Sequence, residues 1–155
     1  MSYETETIVI CSGYFNPVHR GHVDYLRSAK KLADELIVIV NSDKQVKQKG
    51  SISFMKESER LYIVQYLKPV DWAILSVDQD MSVCETLRLI HDIRPAQEII
   101  FANGGDRKEG NVPEYDICNL LGIKMAFNVG GEKTRSSSEL LAARARQVGT
   151  KSYGS

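Results

Sequence analysis

Two histidines three residues apart, His19 and His22, close the run Gly13-Tyr14-Phe15-Asn16-Pro17-Val18-His19-Arg20-Gly21-His22. Imidazole is the side chain whose proton chemistry lies nearest neutral pH. At this spacing two imidazoles share one side of a helical turn. An apolar run, Ile8-Val9-Ile10, precedes the stretch and an amphipathic one follows from Val23, so it reads as strand, tight loop and helix start. Backbone N–H groups in the first turn of a helix lack intrahelical partners. Together with the imidazoles they would favour an anion. Gly13 and Pro17 shape the turn, and Gly21 lets backbone come close to a ligand.

Three more groups have chemistry to offer. Lys44, Lys47, Lys49 and Lys56 form a basic run with no acidic residue among positions 44–56; such a run is often only a solvated loop. Asn103-Gly104-Gly105-Asp106 follows an apolar segment, where two glycines allow backbone to lie against a ligand and Asp106 offers a fixed acceptor. By itself Gly-Gly-Asp is also simply a good turn. Further on, Lys133, Arg135 and Ser136-Ser137-Ser138 crowd the start of a last helix. A capping box of Ser136 with Glu139 explains one serine. An anion would draw on all three hydroxyls and both cations.

The elements that must position these groups alternate along the chain. Strands are expected at 8–12, 36–41, 71–76, 98–102 and 124–129, with Trp72 and Leu75 the largest contributors to the third. Helices are expected at 22–33, 57–67, 82–91, after Pro113 to Leu121 and, opened by the run 130–139, to about Arg146, and residues 41–56 read as a loop. On the first helix Val23, Leu26, Ala29, Leu32 and Ala33 form the apolar side; on the second Leu61, Ile63, Val64 and Leu67 do so. Gly122 suits a left-handed helix end, and His91 a helix surface near a C-terminus. The first strand is too continuously apolar to have one face in water. The pattern predicts an α/β fold of Rossmann-like type: a five-stranded parallel sheet in the order 3-2-1-4-5 with helices on both faces. That order lays the loops after strands one, four and five along one carboxyl-end crevice.

With 155 residues, 43% of them apolar and 26% charged, one compact domain over residues 1–148 and a mobile tail at 149–155 are expected. Twenty basic residues balance twenty acidic ones, which removes the positive field expected of a nucleic-acid binder. A secretory signal and a membrane span are not expected, since the apolar stretches are short. Cys11, Cys84 and Cys118, odd in number and without metal spacing, read as reduced core thiols of a cytoplasmic protein.

The motif His19-Arg20-Gly21-His22 after a strand resembles the H-x-G-H of the cytidylyltransferase-like nucleotidyltransferases, and other landmarks fall in that superfamily's order. These are Asn41-Ser42-Asp43 leading to Lys49-Gly50, Glu59-Arg60, Val70-Asp71-Trp72, Gly104-Gly105-Asp106 and Arg135-Ser136-Ser137-Ser138. The chain is most similar to the heptose-1-phosphate adenylyltransferase and glycerol-3-phosphate cytidylyltransferase group. It departs from that group at Asn16, where Asp is usual, and at the serine triplet; Phe15-Asn16-Pro17 is closer to the pyridine mononucleotide adenylyltransferases.

The resemblance implies attack by the phosphate of a small acceptor, such as a sugar or glycerol phosphate, on the α-phosphorus of ATP or CTP, with pyrophosphate leaving. It implies that His19 and His22 stabilise the transition state, that Lys49 reaches the acceptor phosphate and α-phosphate, and that Arg135 with Ser136, Ser137 and Ser138 grips the β and γ groups. Gly13, Tyr14, Phe15, Asn16 and Gly21 would line the nucleotide, while Asn103, Gly104, Gly105 and Asp106 would hold ribose and base. Mg²⁺ is expected with the triphosphate, carried by phosphate oxygens and water rather than by a protein cage. Homodimerisation, common in the group, is a further implication. ATP is favoured slightly over CTP by the Lys49-Gly50 and Gly104-Gly105-Asp106 signatures. Competing readings are a nucleotide-binding regulatory module without turnover, a pyridine mononucleotide adenylyltransferase-like enzyme and a fragment of a class I aminoacyl-tRNA synthetase. The short neutral chain, with no extension for tRNA, speaks against the latter.

Overall fold

The computed structural model describes residues 6–105 and 112–130. Five parallel strands, β1 (Thr7–Gly13), β2 (Glu35–Val40), β3 (Trp72–Leu75), β4 (Glu98–Ala102) and β5 (Lys124–Ala126), lie in the order 3-2-1-4-5. Between them run α1 (Arg20–Lys30), α2 (Asp43–Gln48), α3 (Glu57–Gln65), α4 (Cys84–Ile93) and α5 (Tyr115–Leu121).

Alternation along each strand sends successive side chains to opposite faces, and here both faces are covered. Ile8, Ile10, Ile37, Ile39, Ile99 and Phe101 pack with Leu87 and Ile90 of α4 and Cys118 of α5. On the other face Val9, Cys11, Leu36, Val38 and Val40 meet Leu26 and Ala29 of α1 and Val64 of α3. β1 pairs with β2 on one side and with β4 on the other. The reversal of strand order therefore falls between β1 and β4, so the loops leaving both open at one end of the sheet.

Several sequence expectations change. The first part of the expected loop at 41–56 is the helix α2, because Ser42 and Gln45 form a capping box: the Ser42 hydroxyl accepts from the Gln45 N–H at 3.2 Å and the Gln45 side-chain Oε1 from the Ser42 N–H at 2.9 Å. Trp72 is not a core residue; β3 is an edge strand and the indole is 60% exposed. Leu32 and Ile63 are likewise exposed, since α1 ends at Lys30 and Ile63 lies off the stripe of α3 that meets the sheet. β5 is shorter than expected, ending at Ala126. Gly122 does take the left-handed conformation, φ 74°, and closes α5. The last helix, expected to continue to about Arg146, and the tail lie outside the described residues. No described helix is long and apolar enough to cross a membrane.

Candidate functional site: a histidine pair at the end of strand one

His19 is the N-cap of α1, one position outside the helix, and His22 stands in its first turn. The two rings build a capping box in which both caps are imidazoles. His19 Nδ1 accepts from the Gly21 N–H at 3.0 Å, and His22 Nδ1 accepts from the His19 N–H at 3.1 Å. A neutral imidazole whose Nδ1 lone pair is occupied carries its proton on Nε2. The backbone thus selects one tautomer for both residues, with Nε2–H as a donor. The rings lie 3.8 Å apart between centroids and are tilted by 30°.

Both rings are held neutral. Burial lowers the His19 pKa from its ordinary value. Burial, then the neighbouring His19 and the Lys49 charge, lower that of His22 to about 3. The pair therefore supplies hydrogen-bond donors at neutral pH, without the cost of desolvating two cations.

The preceding loop is shaped around one buried ring. Phe15 is fully buried although its φ is 51°, in the left-handed region that non-glycine residues rarely enter. Its ring lies 4.9 Å from that of His22, and a Cβ at Gly13 would come within 3.0 Å of the ring. Strand end, aromatic ring and histidine are fitted to one another, so Gly13 leaves no room for a side chain. The Asn16–Pro17 peptide is cis.

Lys49 is the C-cap of α2, and its Nζ lies 4.1 Å from the centroid of the Tyr14 ring. Of the basic run it is the lysine placed over the histidine loop, and its charge helps lower the His22 pKa; Lys44 Nζ bonds Gln79 instead. Asn16 turns its amide to the backbone of the next segment, donating to Ile52 O at 2.9 Å and accepting from the Phe54 N–H at 2.8 Å.

Arg60, noted in the sequence only as a landmark, is the residue on which this end of the sheet converges. Fully buried, its guanidinium donates to Tyr14 O at 2.8 Å, Asn41 O at 2.7 Å, Met55 O at 3.0 Å and Asp43 Oδ1 at 2.7 Å. One side chain thereby ties the histidine loop, the end of β2, the start of α2 and the segment before α3. Burial opposes ionisation of Asp43, but the bonds from Arg60, the Glu57 N–H and the Ser53 hydroxyl outweigh it and lower the pKa. A signal for Arg60 was present, because it shares the stripe of Val64 and Leu67, where a charge is out of place unless it has buried partners.

The second glycine loop opens beside the first. The Tyr25 hydroxyl of α1 donates to Ala102 O at the end of β4. A Cβ at Gly104 would meet the Tyr25 ring at 3.1 Å and Val129 O at 3.2 Å, while Gly105 has φ 62°. Asn103 is 2% exposed, and its Oδ1 has no hydrogen-bond partner among the described residues. The structure thus brings Gly13, Tyr14, Phe15, Asn16, His19, Gly21, His22 and Lys49 together, with Asn103, Gly104 and Gly105 beside them across β1 and β4. Asp106, Arg135, Ser136, Ser137 and Ser138 lie outside the described residues.

The thiols stand apart from this chemistry. Burial pushes Cys11 and Cys118 up to about 12 and raises Cys84, so all three are protonated at neutral pH. Among the described residues no three His, Cys, Asp or Glu side chains gather where they could hold a metal. In the neutral pair each Nδ1 accepts a backbone hydrogen bond and each Nε2 carries a proton to donate, which suits phosphate oxygens better than a cation.

Residues 10–128 match the model of the Cytidylyltransferase-like family. A protein of Aciduliprofundum boonei named FAD synthase is 37% identical over 76% of this chain and 73% of its own length. Another FAD synthase, from Thermoplasma acidophilum, is 45% identical over 47% of this chain, a match spanning 51% of that relative. The bifunctional protein HldE of Blochmanniella floridana is 36% identical over 82% of this chain but only 24% of its own. Among solved structures, the lipopolysaccharide core biosynthesis protein from Thermoplasma volcanium superposes with a TM-score of 0.61 at 32% identity, covering 79% of this chain and 93% of that one.

Proposed function

Because the chain belongs to the cytidylyltransferase-like family of nucleotidyltransferases, we propose that it transfers an adenylyl group from ATP to a small phosphate monoester and releases pyrophosphate. The observation that carries this reading is the histidine pair, whose rings are locked by backbone bonds into the tautomer that donates from Nε2. In such a transfer the acceptor phosphate attacks the α-phosphorus in line with the departing pyrophosphate. Negative charge grows on the transferred and leaving oxygens. Donors fixed before the reaction stabilise that charge without reorganisation, and His19 and His22 are assigned this role. Lys49 draws the acceptor phosphate towards the α-phosphate, and Gly104 and Gly105 give the nucleoside close access to backbone. No protein nucleophile is needed, consistent with three protonated thiols.

Adenine is preferred over cytosine because FAD is itself an adenylyl ester of a flavin phosphate, and proteins named FAD synthase are similar to this chain over most of its length. Mg²⁺ would travel with the triphosphate on its oxygens and on water, shielding charge on the leaving pyrophosphate. Arg135, Ser136, Ser137 and Ser138 are assigned to the β and γ groups, and Asp106 to the ribose.

The test is pyrophosphate release from ATP and from CTP, each with Mg²⁺ and a panel of phosphate monoesters including FMN, glycerol 3-phosphate and a heptose phosphate. Release that requires ATP and an acceptor is the expected result. Stabilisation by ATP with no release from any acceptor would instead support a regulatory nucleotide-binding module.

A further inference from the structure

The segment that follows Lys49 is held in one conformation by backbone bonds, yet it carries two large apolar side chains in water. Gly50, at φ 86°, turns the chain out of α2. Asn16 then clips the segment from one side through Ile52 O and the Phe54 N–H. The Ser53 hydroxyl donates to Asp43 Oδ1 at 2.9 Å, and Arg60 holds Met55 O. An extended chain alternates its side chains: Ser53 and Met55 are half-buried, whereas Ile52 is 79% exposed and Phe54 76%.

This placement ties the two apolar groups to the reaction. The Asn16 amide that fixes their backbone belongs to the histidine loop, and Lys49, one residue before the turn, lies over Tyr14 of that loop, its charge among the causes that lower the His22 pKa. A phosphate monoester with its phosphate at Lys49 and the histidines would extend its organic part along this segment. A polyhydroxylated acceptor needs several donors and acceptors there, but the large outward side chains between Ser51 and Lys56, themselves exposed, are Ile52 and Phe54, and the Ser53 hydroxyl is already spent on Asp43. An aliphatic group and a ring instead fit a flat, apolar ligand that covers them and stacks on the phenyl face.

Resting on the transferase reading above, we propose that Ile52 and Phe54 select the acceptor, and that the acceptor is a phosphate monoester with a planar aromatic body rather than a sugar or glycerol phosphate. Asn16 is the positioning residue that presents them.

The experiment uses FMN as the aromatic probe and glycerol 3-phosphate as the polyol. FMN binding is followed by its fluorescence, without turnover, and pyrophosphate release is measured alongside. The expected result is that FMN binds and is the better acceptor. The double variant Ile52→Ser with Phe54→Ser weakens FMN binding and raises its KM at least about tenfold, Phe54→Trp retains both, and the ATP-induced rise in Tm persists. Because both side chains are exposed, the double variant should fold as the parent does. Asn16→Asp, which loses the donor to Ile52 O, should raise the KM for FMN more than it lowers kcat. If pyrophosphate is released but FMN is a poorer acceptor than glycerol 3-phosphate, or the folded double variant binds FMN as the parent does, this proposal is overturned and the transferase reading stands. If FMN binds through the pair and no acceptor yields pyrophosphate, the transferase reading falls while this surface stands.

Discussion

The loop after β1 and the segment at 50–55 meet through Asn16, but they are built on opposite terms. In the first, side chains are buried against one another: Phe15 fills the space that Gly13 leaves, His22 packs on Phe15, and each histidine satisfies a backbone N–H. In the second, the backbone is pinned while Ile52 and Phe54 remain in water. The difference separates two demands on one site. Charge stabilisation needs donors whose geometry is fixed before substrate arrives, whereas acceptor choice can rest on exposed side chains that change without disturbing the fold.

The sharpest way to break the comparison is to remove the α3 side chain that bonds the backbone of both regions. Arg60→Ala strips donors from three carbonyls and a carboxylate at a buried position. It should cost about 3–5 kcal/mol of stability, read as a lower urea midpoint, and it should loosen the histidine loop and the 50–55 segment together. His22→Ala acts on one region alone. Turnover should fall at least about a hundredfold, roughly 2.7 kcal/mol in the barrier, while loss of the cap costs about 1 kcal/mol in stability. Full activity in that variant would remove the histidine from the mechanism.

Gly104→Ala probes the neighbouring loop. Its Cβ meets the Tyr25 ring and the Val129 carbonyl, so a loss of about 1–3 kcal/mol is expected, checked by thermal unfolding. Acid exposes the cost of keeping the histidines neutral. Their pKa values are lowered in the folded chain, His22 to about 3, so below the ordinary value of about 6.5 the unfolded chain binds protons that the folded chain refuses. Stability should fall as pH drops from about 6.5 toward 3, by at most about 1.4 kcal/mol per pH unit for each histidine, and be insensitive to these groups above that range. Urea midpoints at pH 7, 6 and 5 measure the slope, which should flatten in His22→Ala. Ser42→Ala should lose only about 1 kcal/mol, the worth of one helix cap.

How far each region could be read from sequence follows from the same contrast. β1 was legible because Ile8-Val9-Ile10 needs cover on both faces, and the histidine turn because its spacing fits a helix start. α2 was hidden because Val46 is its only large apolar residue, leaving a capping pattern, Ser42 to Gln45, as the sole local sign. Trp72 misled because periodicity does not say that a strand lies at the edge. The roles of Arg60 and Asn16 are tertiary: each bonds backbone far along the chain, and no local pattern specifies such partners. The serine triplet and Asp106 are legible as motif alone, since they lie outside the described residues.

Nitrogen NMR of ¹⁵N-histidine-labelled protein can read whether the chain presents two neutral imidazoles donating from Nε2 at the head of α1. His91, on the surface of α4, is an internal reference. At pH 7 unprotonated Nδ1 and protonated Nε2 are expected for both His19 and His22, with their Nε2 signals moving when ATP and Mg²⁺ are added. A pair protonated on Nδ1, or charged before nucleotide binds, or unmoved by ATP, would contradict that expectation.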